Sequence, residues 1–129
     1  MKPVSDQDKV ANAFPVSDRR LVRSAAYIGG QWVGADSGAT LEVCNPADQS
    51  LVGEIASLDA AESTLAVDAA QSAFGAWSAR LPQDRAAILR RWFDLIVAAK
   101  EDLARIMVLE QGKPLSEARG EIDYAASFV

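Results

Sequence analysis

Residues 81–129 constrain the fold more than any other stretch, because their apolar spacing admits only a succession of amphipathic helices. Pro82 suits a first helical turn, where the N–H it lacks would have no partner anyway. Ile88, Leu89, Trp92, Phe93, Ile96 and Ala99 then form a one-sided stripe at helical spacing. Arg90 and Asp94 sit four apart on the other side, a pair worth about 0.2–0.5 kcal/mol. After Lys100 the pattern continues through Leu103, Ile106 and Met107, with Glu101 four residues before Arg105. Gly112 is a helix stop, since glycine takes the left-handed conformation cheaply. Pro114 restarts a helix at its first turn. That last helix carries Leu115, Ala118, Ile122, Ala125, Ala126 and Val129 on one side, and Tyr124 and Phe128 on another. Its end is therefore apolar on two faces, and core packing is the simplest account of both aromatics.

Upstream the signals change to strands. Residues 1–26 are polar and read as a flexible lead with a short helix over 18–24. The acidic residues there argue against a mitochondrial transit peptide. Tyr27-Ile28-Gly29-Gly30-Gln31-Trp32-Val33 is two β-prone pieces around Gly-Gly, the pattern of a tight hairpin. Residues 41–44 form a further strand ended by the turn signal Asn45-Pro46, and residues 51–56 return to pair with it. Asp59 is a helix N-cap, with Glu62 completing a capping box. The helix it opens runs to about Trp77 and turns Leu65, Ala66, Ala69, Ala70, Ala73, Phe74 and Trp77 inward. The expected architecture is thus α+β: β-hairpins followed by about four helices, in one unit over 27–129 behind the lead.

The 129 residues, half of them hydrophobic, suffice for one domain with a sizeable core. Acidic residues outnumber basic ones by 18 to 13, which is not the footprint of a nucleic-acid binder. No apolar run approaches a membrane span and no signal peptide is visible, so no membrane partner is expected. A single cysteine cannot form an internal disulfide, which fits a cytoplasmic setting. Histidine is absent, and with it the commonest general base and metal ligand. Cys44, at a strand end and without a histidine to activate it, reads as a small packing residue rather than a nucleophile. No glycine-rich strand-to-helix turn is available to cradle a pyrophosphate, so neither a Rossmann core nor a cofactor-binding residue is expected. Glu110 falls on the stripe Ala99, Leu103, Ile106 and Met107, which turns it inward. A carboxylate so placed needs a cation, hydrogen bonds or a raised pKa. A salt bridge or an exposed helix end answers that need as well as a bound ion does.

The block Glu110-Gln111-Gly112-Lys113-Pro114-Leu115, then Glu117-Ala118-Arg119-Gly120-Glu121-Ile122 and Tyr124-Ala125-Ala126-Ser127-Phe128, resembles the N-terminal part of NAD(P)-dependent aldehyde dehydrogenases. Within that family it looks most like the succinate-semialdehyde dehydrogenase branch. Tyr27-Ile28-Gly29-Gly30-Gln31-Trp32, Asn45-Pro46-Ala47 and the spacing of Leu21, Arg23 and Tyr27 match the family's opening. The resemblance implies a truncated, peripheral part of the cofactor-binding domain of an α/β enzyme. The nucleophilic cysteine, the general-base glutamate and the cofactor contacts would lie beyond Val129, leaving no catalytic residue here and an inactive chain. For the complete enzyme it implies a homo-oligomer that oxidises succinate semialdehyde with NAD⁺ or NADP⁺. There a thiolate attacks the aldehyde, hydride passes to the nicotinamide, and glutamate-activated water hydrolyses the thioester. It further implies a structural Na⁺ or K⁺ held by Glu110 with the backbone carbonyls of Val43 and Cys44. It also places Tyr124 and Phe128 on the helix that lines the family's substrate tunnel. The competing expectation is a free-standing, non-catalytic helical interaction module.

Overall fold

A computed structural model of the chain describes residues 14–129. Four short strands precede four helices: β1 (Ala26–Ile28), β2 (Gln31–Val33), β3 (Thr40–Cys44), β4 (Leu51–Ala56), α1 (Ala60–Ser78), α2 (Pro82–Ala98), α3 (Lys100–Gln111) and α4 (Leu115–Ala126). The strands pair antiparallel as two separate two-stranded sheets, β1 with β2 and β3 with β4. No helix among the described residues is long and apolar enough to cross a membrane.

Each turn follows from its residues. Gly29 and Gly30 take φ of +59° and +85°, the consecutive positive values a two-residue hairpin needs to match strand twist. In the second hairpin the register steps from Val43 opposite Gly53 to Cys44 opposite Leu51. Val52 is therefore the unpaired residue of a β-bulge, and a bulge re-aims the side chain it carries. Here Val52 is buried with Phe14 and Val22, and Val43, Ile106 and Leu109 pack against them.

The expected flexible lead divides. Residues 1–13 lie outside the described residues, but from Phe14 onward the segment is a docked strap. Phe14 and Val22 are core residues, and the N–H groups of Ser17 and Asp18 donate to the Asp102 carboxylate at 2.9–3.0 Å. Where a helix was expected over 18–24, only a single 3₁₀ turn forms at Arg19–Leu21. Polar composition hid the strap, because its anchoring runs through backbone donors that any sequence supplies.

The Asp59 cap and its Glu62 partner form as expected, and Glu62 also accepts from the Asp36 N–H at 2.6 Å. This carboxylate thereby ties α1 to the loop after β2. α1 itself behaves differently from expectation. Ala66, Ala69 and Trp77 are half-buried, but Leu65, Ala70, Ala73 and Phe74 are exposed, because the segment offers that helix little beyond the β1 hairpin to lie on. α2 shows the same split. Leu89, Phe93 and Ile96 are half-buried, while Ile88 and Trp92 on the adjoining stripe face solvent. A short break at Ala99 separates α2 from α3. The second core lies between α3 and α4, where Ala104 and Ala118 are both 0% exposed and allow the two helices to approach closely. Ile122, Ile96, Met107 and Leu115 close around them.

Candidate functional site

The strap, the β3–β4 hairpin and α3 meet around a cleft of about 120 Å³. Phe14, Val22, Val43, Gly53 and Ile106 give it apolar walls, and Arg23, Glu54 and Glu110 bring charge to it. Two local devices set its shape. The bulge at Val52 turns β4 past the strap. Gly112, in the left-handed conformation with φ +69°, caps α3 directly against the Asn45-Pro46 turn. A Cβ at Gly112 would stand 2.7 Å from the Pro46 ring, so only glycine lets the strand end and the helix end come this close.

Glu110 lies in the last turn of α3 and is more exposed than its stripe implies, since the helix stops two residues later at its glycine cap. Its carboxyl nonetheless faces the cleft, and loss of solvation pushes its pKa up. Among the described residues no salt bridge or side-chain hydrogen bond ends on that carboxylate. Arg23 reaches the same cleft, but its guanidinium stacks 4.6 Å from the centroid of Trp32. Of the three residues expected to hold a cation, the structure thus brings Val43 and Glu110 to one cleft. Cys44 is exposed and does not line it. No group of three or more acidic, histidine or cysteine side chains able to hold a metal clusters among the described residues.

Tyr124 and Phe128 meet edge to face, ring centroids 4.8 Å apart, at the end of α4. They are 65% and 72% exposed, so they pack against one another and not into a core. Beside them a shallower groove of about 470 Å³ runs between α2 and the end of α4, lined by Leu89, Arg90, Phe93, Ala126 and Val129 among others. Neither aromatic lines that groove.

Asp102 is the polar residue that sequence reasoning passed over. It is buried, takes the strap's N–H groups, and contacts Arg105 at 3.5 Å. The Ser17 and Asp18 N–H groups hold its pKa below the usual carboxylate range. An acid in a first helical turn is what the helix dipole favours anyway, so its position carried no separate signal.

A family model described as "Aldehyde dehydrogenase family" matches residues 32–129. The chain belongs to the aldehyde dehydrogenase family. It is 50% identical over 114 residues to the glutarate-semialdehyde dehydrogenase of Pseudomonas aeruginosa, covering 88% of this chain and 24% of that protein. It is 47% identical, over the same shares, to the NADP(+) succinate-semialdehyde dehydrogenase of Escherichia coli K12. The crystal structure of succinate-semialdehyde dehydrogenase from Burkholderia pseudomallei superposes with a TM-score of 0.86 at 53% identity, covering 88% of this chain and 24% of that one. The strand pairs and four helices are therefore an N-terminal segment of the aldehyde dehydrogenase fold. The chain spans about a quarter of the length of the relatives it matches.

Proposed function

We propose that this chain is the bracing N-terminal quarter of a semialdehyde dehydrogenase, an enzyme that oxidises a short aldehyde bearing a carboxylate with NAD⁺ or NADP⁺. The observation that carries the reading is the near-even identity to enzymes named for glutarate and succinate semialdehydes, spread over 88% of the chain. Succinate semialdehyde is the substrate we assign. The nicotinamide cofactor supplies the hydride acceptor when bound. The residues present here hold the strap, the hairpins and α3 and α4 in place, and none of them acts on the aldehyde. The isolated chain is accordingly inactive. The exposed lone thiol suits a reducing compartment such as the cytoplasm.

Two assignments within the complete enzyme go with this reading. Glu110, with the backbone carbonyls of Val43 and Cys44, holds a Na⁺ or K⁺ that steadies the junction of the Asn45-Pro46 turn and the end of α3. The desolvated, unpartnered Glu110 carboxylate beside Val43 supports it. Tyr124 and Phe128, exposed on the segment, flank the aldehyde's path once the rest of the enzyme covers α4. The deciding experiment is a chimaera in which this chain replaces the matching quarter of the Pseudomonas aeruginosa relative. Oxidation of succinate semialdehyde supports the reading, and a soluble, folded chimaera inactive on both succinate and glutarate semialdehydes refutes it. In that chimaera Glu110→Gln should abolish the difference in stability between potassium and a bulky organic cation. Tyr124→Ala should shift the preference between the two semialdehydes, and an unchanged preference removes Tyr124 from the tunnel. A sharp, cooperative melt of the isolated chain, with no dye binding, would favour a free-standing helical module instead.

A further inference from the structure

Residues 14–22 cross the molecule as a strap with no regular structure beyond one 3₁₀ turn, and much of its polar anchoring converges on the start of α3. Asp102, itself buried, accepts from the Ser17 N–H at 3.0 Å and from the Asp18 N–H at 2.9 Å. Arg105, one helical turn on, donates to the Pro15 carbonyl at 3.4 Å. Hydrogen bonds to a charged group are stronger than neutral ones, so this one turn of α3 grips the strap's backbone firmly. At its other end the chain passes into the strands. The Ser24 carbonyl accepts from the Ala56 N–H at 2.8 Å, and β1 begins two residues later. Arg23 stands between the gripped strap and the fixed strand, its guanidinium on Trp32. Between these two points the strap covers without filling. Phe14 and Val22 bury Val52, yet about 120 Å³ stays open among Phe14, Val22, Val43 and Ile106. Elements packed for good leave few spaces larger than a water molecule.

We propose that residues 14–22 are a hinged cover over the Glu110 cleft, pivoting at Arg23 and latched by Asp102 and Arg105. Lifting the cover uncovers Val52, Val43 and Ile106 together and opens the cleft to solvent. Asp102 and Arg105 do not line the cleft, so access to it is set from outside its own walls. A segment held by few buried contacts opens at a lower free energy than a closed core does. The α3–α4 core is a separate cluster around Ala104, Ala118 and Ile122, so the cover can lift while those helices stay closed. Neither the substrate nor the cation assigned above enters into this.

The test measures thiol labelling by iodoacetamide in the full chain, with the native exposed thiol removed by Cys44→Ser. Val52→Cys places a reporter beneath the cover, and Ile122→Cys places one in the α3–α4 core. With the latch intact, Val52→Cys should label faster than Ile122→Cys, because the cover opens more often than the core. Asp102→Ala should speed labelling at Val52→Cys by about tenfold or more and leave Ile122→Cys within about twofold, as local opening requires. Asp102→Asn, which keeps an acceptor oxygen without the charge, should fall between. Ser17→Pro removes one latch donor while leaving α3 untouched, and should act in the same direction as Asp102→Ala. Labelling at Val52→Cys that neither latch variant changes would overturn the cover. Equal acceleration at both reporters would overturn it as well, because strap and helices would then open as one body.

Discussion

α3 and α4 close on one another through Ala104, Ala118 and Ile122, with Lys100 to Asp123 and Arg119 to Glu101 pairing across at 2.6–2.8 Å. α1 and α2 are as apolar, but Phe74, Trp92 and Leu95 point at solvent. Both pairs follow the same rule of helical patterning, and they differ only in whether the partner surface lies within the segment. An inward stripe says that a helix will be covered and does not say by what. The N-terminal strap makes the same point from the other side. A polar stretch with little apolar patterning is held firmly because one carboxylate, Asp102, collects its backbone donors.

The largest expected effect separates the two helix pairs. Ala104→Leu places a branched side chain where two helices touch and should destabilise the chain by about 1–3 kcal/mol in urea unfolding. Trp92→Ala in the isolated chain should stay within about 0.5 kcal/mol of the parent, because it removes an exposed side chain. Equal losses would erase the distinction between a closed pair and an open one. Gly112→Ala comes next. It combines a positive φ with a Cβ that meets the Pro46 ring, and should cost more than about 1 kcal/mol by the same measurement.

The smallest effect sharpens the contrast at the strap. The Ser17 and Asp18 N–H groups depress the Asp102 pKa below its ordinary 3.8. A depressed carboxylate stabilises the fold above its unfolded pKa and loses that contribution as pH falls through the lower folded value. The strap should therefore stay docked at neutral pH and lose this contribution as pH falls from 3.8 through the lower folded value. The amide resonance of Ser17 should move with that titration while that of Ala126, a buried α4 residue without a carboxylate, stays fixed. Asp102→Asn should remove the titration. Movement of both together would mean that strap and helices unfold as one.

Much of this architecture could be read from the residues themselves. Gly29-Gly30 announced its hairpin, Asp59 and Glu62 their capping box, and Gly112 its helix stop, because each acts through local backbone chemistry. The second hairpin was legible from Asn45-Pro46, but its bulge was not, since one slipped pairing leaves the apolar pattern of residues 51–56 unchanged. Exposure at Leu65, Phe74, Ile88 and Trp92 was illegible for a different reason: an apolar stripe marks a face without naming the surface that covers it. At the cleft, Val43 and Glu110 were named from the resemblance and the fold does bring them together. Arg23 was missed, because its approach depends on the strap's docking and on the stack with Trp32.

Amide hydrogen exchange along the chain, free and fused to the downstream part of the Pseudomonas aeruginosa relative, tests the central claim most directly. In the free chain the α3–α4 amides should be protected and those of α1 and the outer stripe of α2 should exchange far faster. Fusion should bring α1 and α2 up to the protection of α3 and α4. Protection of all four helices that is equal in the free chain and unaltered by fusion would contradict the account, because the segment would then need no further surface to complete it.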